Sequence, residues 1–297
     1  MLSPYQEVVF NQMLRDALLG LSIYLTLYTG MFSLANAGFM SIGAYVSAVA
    51  WRYFNVPFEL TFLVAPLICA LIALPIGLPV LRLRDIYLAI ATIGFGEVVR
   101  ILALNVDDIA AGVSGIKDRV IIGGGQGLKD LPVLVNTAHL VFAVVVVGYF
   151  IIRLHRSRFG RGMAAIRQDE RAAATMGINV VYAKVGVFML SAALAGLAGV
   201  FHTFLSRTIK PDDFGFTQAV NILAFAVLGG TSVFVGPILG GFALRALPEV
   251  LRFSQQWRGV LIGAALLLVI IYLPSGLVGL FNPATWRRRG KHREHPS

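Results

Sequence analysis

Long apolar runs recur along this chain at about residues 13–30, 36–51, 58–81, 86–105, 133–152, 185–205, 218–234, 237–251 and 259–274, separated mostly by short polar stretches. A helix needs roughly 20 apolar residues to cross a bilayer, and the runs approach that length. The pattern predicts an all-α polytopic integral membrane helical bundle of about nine transmembrane helices, with eight or ten as neighbouring counts. Gly and Pro interrupt several runs, among them Pro66, Pro75 and Pro79 in the third, so some segments are expected to be broken or re-entrant. Two glycine-broken stretches stand out, TGMFSLANAGFMSIGAY at 29–45 and VLGGTSVFVGPILGGFAL at 227–244. Backbone groups freed there must face protein or a water-filled cavity. Paired interruptions can form a transport pathway near the midplane, and close packing through small residues is an equal alternative. Asn36, Gly38, Gly229, Gly230 and Gly236 are the candidate pathway residues in these stretches. Ser191, Ala195 and Gly199 in the sixth run read as a packing stripe.

The longest polar island between apolar runs, residues 153–184, carries Arg153, Arg156, Arg158, Arg161, Arg167, Arg171 and Lys184. The excess of cations in cytoplasmic loops assigns this segment to the cytoplasm. On that assignment inner loops and tail hold fourteen Lys and Arg residues against eight outside. An odd number of crossings then places the N-terminus outside and the C-terminus inside. The chain divides into one transmembrane domain, 1–281, and a basic cytoplasmic tail, 282–297, whose WRRRGKHREH reads as a topology anchor.

Composition agrees with lipid as the main solvent: 57% of residues are hydrophobic and 13% charged, with a mean hydropathy of +0.78, where soluble domains are about a quarter charged. The net charge of +10 lies in loops and tail, as topology requires, and does not indicate nucleic-acid binding. The single cysteine, Cys69, sits inside an apolar run and excludes an intramolecular disulfide. The N-terminal residues lack a basic start and a small-residue cleavage pattern, so no cleaved leader is expected.

Gly162 to Met176 is rich in helix formers and ends before Gly177, which suits a helix C′ position. One short helix is expected there, with Ala165, Ile166, Ala173 and Met176 on one side and Arg167, Asp169, Glu170 and Arg171 opposite. Such a surface can enter a groove on a soluble partner or lie at the membrane interface. Glu97 and Arg100 share a face of the fourth run, where mutual neutralisation or a place on the solute pathway would justify ionisable groups. GGGQGL at 123–128 lacks the GK[ST] of a phosphate loop and reads as a turn or an outer contact. His139, His155 and His202 are scattered and read as structural. Asp107, Asp108, Asp212 and Asp213 read as solvated or docking charges. No metal-ligand or nucleophile motif appears, so neither a catalytic site nor a bound cofactor or metal is expected. No buried charge cluster is evident, and solute contacts are expected from backbone groups and small side chains.

SRFGRGMAAIRQDERAAATMGINVVYAK followed by FMLSAALAGLAG resembles the cytoplasmic loop of the permease subunits of ABC importers for branched-chain amino acids. LRLRDIYLAIATIGFGEVVR, GGGQGL, GMFSLANAGFMSIGAY and the VGPILGG region resemble the same family, in the same order, from about Leu18 to Leu280. The resemblance implies a bacterial inner-membrane permease without covalent chemistry of its own. Its implied partners are a second homologous permease subunit, two cytoplasmic ATP-binding subunits holding ATP and magnesium, and an extracytoplasmic solute-binding protein. It implies ATPase coupling through Arg158, Gly160, Arg161, Arg167, Asp169, Glu170, Ala172, Ala173 and Gly177, although the Ile-x-Leu-Pro ending of the fuller coupling motif is absent. Urea and short amides are alternative solutes within the family. An ion-coupled secondary transporter, with Glu97 as the coupling residue, is the alternative outside it.

Overall fold

The computed structural model describes residues 3–114, 123–129, 131–231, 233–250, 263, 267 and 276–280. Ten α-helices follow in chain order: α1 (Pro4–Tyr28), α2 (Asn36–Phe54), α3 (Phe58–Val80), α4 (Asp85–Ser114), α5 (Thr137–Arg156), α6 (Arg158–Gln168), α7 (Glu170–Thr175), α8 (Val180–Leu205), α9 (Phe216–Gly229) and α10 (Val235–Val250). Among the described residues four helices are long and apolar enough to cross a membrane, those over Phe58–Val80, Asp85–Asp107, Thr137–Arg156 and Val180–Leu205. Of the ninth apolar run only Gly263 and Leu267 are described, both helical; the tail lies outside the described residues.

α1 and α8 form the centre, and α2 packs against both. Tyr24, Leu18, Leu21 and Ile23 of α1, Phe39 of α2, and Phe188 and Phe204 of α8 are fully buried. α3, α4 and α5 instead expose large apolar side chains such as Leu63, Leu67, Tyr87, Phe142 and Val145. A water-soluble protein seldom tolerates so broad an apolar surface, whereas lipid requires it.

Small residues set how closely the helices approach. In α3 the buried positions are Thr61, Ala65, Cys69, Ala73 and Gly77, four apart and therefore on one face. That face meets α8 at Gly196, where an added Cβ would lie 2.5 Å from the Cys69 sulfur. On its other side Gly196 meets Gly43 of α2, and Gly199 meets the Met40 carbonyl. The stripe through Ser191, Ala195 and Gly199 therefore packs as expected. Asn36 Nδ2 donates to Ser22 Oγ at 2.8 Å and Ser191 Oγ at 3.0 Å, and Ser191 Oγ donates to the Ser22 carbonyl at 2.7 Å. These bonds tie α1, α2 and α8 together where no water can substitute.

Both glycine-broken stretches interrupt helices. After Tyr28 the chain turns at Gly30 (φ +82°) and runs without regular helix to Ala35. α2 then begins beside Ser22, well inside the length of α1. The returning backbone is satisfied by protein, the Leu34 N–H donating to Thr92 Oγ1 at 2.9 Å. The second break, at Gly230 (φ +92°), joins α9 and α10 into a hairpin. Its apex packs on α1, the Pro237 carbonyl lying 2.7 Å from a Cβ built on Gly20, while its open end lies by Arg100 and Gln12. The arms of 14 and 16 residues span about 21 and 24 Å at 1.5 Å per residue, short of a hydrocarbon core of about 30 Å.

The fold sorts the loop cations into two groups. Tyr28 stacks on His155 at 4.3 Å, Gly30 touches the Arg167 backbone, and Gly77 near the end of α3 meets Phe188 near the start of α8. Arg82, Arg84 and the 153–184 segment thus share one end of the bundle. The opposite end holds Arg52, which donates to the Lys129 carbonyl, together with Arg207 and Lys210 near the bridge between Leu128 and Ile209. Lys117, Arg119, Arg252 and Arg258 lie outside the described residues.

Candidate functional site

At the first end, the polar segment is two helices and not the single one expected over 162–176. Asp169 breaks it, with an extended backbone (φ −154°, ψ 113°) and its Oδ1 accepting from the N–H groups of Arg171 and Ala172 at 2.8 and 3.1 Å. A carboxylate placed to cap a new helix competes successfully with continuation of the old one. α7 ends as expected at Gly177 (φ +83°). The Ile178 N–H returns to Ala173 O and the Gly177 N–H to Ala174 O, at 3.1 and 3.0 Å.

Ile166, Ala173 and Ala183 form a small buried cluster with Ala165 packed against it. Met176 was expected on that apolar side. α7 instead ends at Thr175, and Met176, at its C-cap, is 85% exposed. Gly160 packs against the Leu154 carbonyl and His155, so α6 folds tightly back on α5. Arg161 donates to the Arg156 carbonyl, Arg158 opens α6 after the Ser157 cap, and Ala172 is exposed. Glu170 is held by Lys184 of α8 at 2.7 Å. The segment is therefore attached to α5, α1 and α8 together. Asp169→Ala should destabilise α7 by about 1 kcal/mol, the usual worth of such a cap. Tryptic cleavage beside Arg171 in the detergent-solubilised protein should rise roughly fivefold, while Asp169→Asn, also a good cap, should leave it unchanged.

The candidate pathway residues are not gathered at one place. Asn36 is buried, with both amide hydrogens donated. Gly38 of α2 lies against Gly96 and Phe95 of α4, and Gly229, Gly230 and Gly236 build the hairpin apex by backbone contact. Glu97 and Arg100 do pair, Arg100 Nε donating at 2.8 Å and Nη2 at 2.5 Å to Glu97 Oε1. Arg100 Nη1 also donates at 2.8 Å to Asp212 Oδ1.

From Asp212, itself exposed, a line of polar groups runs into the bundle, correcting the expectation that no buried charge cluster exists and tying the acidic pair to Arg100 and His202. Arg15 (7% exposed) donates from Nε and Nη2 to Asp16 Oδ1 (Asp16 2% exposed), at 3.0 and 2.7 Å. Arg15 Nη1 lies 2.8 Å from His202 Nδ1. A guanidinium can only donate, so Nδ1 accepts and the proton of the neutral ring sits on Nε2. That nitrogen faces Asp213 Oδ2 at 3.8 Å. Burial opposes ionisation of Asp213, yet His202 and the Lys210 N–H, which donates at 3.0 Å, outweigh it and hold the carboxyl below the ordinary carboxylate range. Arg245 of α10 closes the line, 3.9 Å from Asp16 Oδ2 and donating to Gln12. His202 is therefore a connected member of this line and not an isolated structural ring.

Asp107 accepts from the Gly123 N–H at 2.6 Å; the side chain of Asp108 lies outside the described residues. The GGGQGL stretch is the turn expected, with Gly123 and Gly127 at positive φ. It lines a cavity of about 660 Å³ together with Arg52, Leu104 and Asp107.

Residues 9–270 match the family described as branched-chain amino acid transport system / permease component. The chain is 34% identical over 294 residues to the high-affinity branched-chain amino acid transport system permease protein LivM of Escherichia coli (strain K12), covering 92% of this chain and 69% of that one. It is 32% identical over 131 residues to LivH, a permease protein of the same description from that organism, covering 43% and 42%. With the corresponding permease protein BraD of Pseudomonas aeruginosa the identity is 32% over 145 residues, 47% of each. No solved structure matches the chain.

Proposed function

The chain belongs to the family of branched-chain amino acid transport permease components, and from that membership we propose that it carries branched-chain or related amino acids into the cytoplasm as one half of a permease pair. It is a membrane permease subunit and not an enzyme. ATP and magnesium act on two cytoplasmic partner subunits, and a soluble extracytoplasmic protein delivers the solute. The second permease subunit is a homologue, a reading supported by similarity to both LivM and LivH.

The observation that carries the reading is the polar segment of α6 and α7 in a chain matched to this family along most of its length. Approach of the ATPase subunits moves α6 and α7. The Glu170–Lys184 pair and the contact of Arg167 with Gly30 pass that motion to α8 and α1. Arg158, Gly160, Arg161, Asp169, Ala172, Ala173 and Gly177 shape or present the segment. The two short arms of the α9–α10 hairpin count either as two crossings, giving nine spans in all, or as one re-entrant loop. The parity is the same, so the N-terminus lies outside and the tail inside.

The decisive experiment is reconstitution of the permease pair with its ATPase subunits and binding protein in liposomes. ATP-dependent uptake of labelled leucine is expected, with none from this chain alone under an ion gradient. Uptake of urea or a short amide in place of leucine would reassign the solute. Gradient-driven uptake by the chain alone would overturn the ATPase-driven mechanism.

A further inference from the structure

Building on the transport reading above, we infer that the 3-10 turn Pro211–Phe214 is the bolt of a gate at the end of the bundle opposite α6 and α7, and that solute passes α2 where this bolt now lies. The bolt is held on two sides. Asp212 is bound by Arg100 of α4, and Asp213 faces His202 of α8, which Arg15 of α1 holds in turn. Side-chain exposure falls along this line from 74% at Asp212 to 12% at His202 and 3% at Asp16. The outer pair is thus wet and readily broken, as exposed ion pairs are weak. The inner charge pair, Arg15 with Asp16, is buried and anchors His202 opposite Asp213, since a buried charge left unpaired is strongly disfavoured.

What lies beneath the bolt points to a polar traveller. Phe214 packs edge-on against Tyr45 of α2, ring centres 6.0 Å apart. Among the described residues the Tyr45 hydroxyl is buried without a hydrogen-bond partner, and so is Ser41 Oγ, one helical turn deeper on the same face of α2. Buried hydroxyls are rarely left unsatisfied, and two on one stripe are best explained by a second state in which water or a polar solute reaches them. The neighbouring α4 brings Glu97 and Arg100 to the same mouth, two charges suited to the ammonium and carboxylate of an amino acid. Gly215 gives the turn its close fit, since a Cβ there would lie 3.3 Å from Arg100 Cδ.

A reversible lock tests the gate in the complete reconstituted complex. Arg100→Cys with Asp212→Cys replaces the ion pair by two thiols, and a short bis-methanethiosulfonate linker joins them; the native Cys69 is buried and should not compete. Cross-linking should lower ATP-driven leucine uptake at least tenfold, and reductant should restore the level seen before the linker. A second lock, Tyr45→Cys with Phe214→Cys, spans the same joint without touching the ion pair and should behave alike. Wild-type uptake by either cross-linked complex would overturn the gate. Should the unlocked complex fail to carry leucine, the solute reading fails separately. The gate is then read from ATPase stimulation by the binding protein, whose loss on locking supports it and whose persistence overturns it.

Discussion

Gly43→Val is expected to leave almost no assembled permease in the membrane. Even a Cβ at Gly43 would enter the Gly196 backbone of α8, and valine adds two methyl groups to it. Backbone on both sides of a contact cannot rotate away as a side chain can, so α2 and α8 must separate. That separation undoes the Gly199–Met40 approach and stretches the bonds from Asn36 to Ser191 and from Thr203 to the Ala44 carbonyl across the same seam. Overpacking a core costs about 1–3 kcal/mol where side chains can adjust, and here the helices must also give up their van der Waals contact, the main attraction between helices in lipid. A loss beyond about 3 kcal/mol is therefore expected. Recovery of a monodisperse peak after detergent extraction, and its thermal midpoint, measure the effect. Gly94→Ala is the control: no described atom beyond its own helix backbone and chain neighbours lies within 4 Å of its Cβ, and alanine is favoured over glycine in a helix by about 1 kcal/mol. That variant should be as stable as the parent or slightly more so.

Much of this architecture was legible because lipid imposes a simple rule on sequence. The apolar runs within the described residues became helices, and the two glycine-broken stretches became a returning segment and a hairpin, since only protein-facing backbone can lose its helical bonds at depth. The Ser191 stripe packed as its small residues required. Other features depended on competition or on distance. Most residues of 162–176 favour helix, so the capping power of Asp169, followed at once by Glu170, was outweighed in a reading by propensity; Met176 was misplaced because α7 ends one residue before it. Arg15 and Asp16, adjacent charges in an otherwise apolar run, were a local signal of a buried polar site. Their connection to His202, 187 residues away, is a product of tertiary packing that no local pattern encodes. The same holds for the tie between Arg100 and Asp212, which turns an apparently solvated acidic pair into part of a line crossing α4, α8, α1 and α10.

Reversing the charge of one residue in α7 should separate transport from ATP hydrolysis. Glu170 accepts from Lys184 Nζ at 2.7 Å, with the lysine only 13% exposed. Glu170→Lys places two ammonium groups face to face in a half-buried joint, and relief requires α7 to swing away from α8. The Asp169 cap and the turn at Gly177 belong to the backbone of α7 itself and should survive, so the helix remains formed but detached. On the proposed coupling route, leucine uptake by the full complex should fall at least tenfold while basal ATPase activity persists, a loss of about 1.4 kcal/mol of coupling. Lys184→Glu alone should impair uptake similarly by opposing Glu170. Combining it with Glu170→Lys restores opposite charges across the joint and should recover most of the uptake, because the geometry needs an ion pair and not a particular order of its partners. If the double variant is no better than either single one, the pair is not the link between α7 and α8. If all three variants transport as the parent does, force reaches the bundle by another contact, and the Arg167–Gly30 junction becomes the place to cut next.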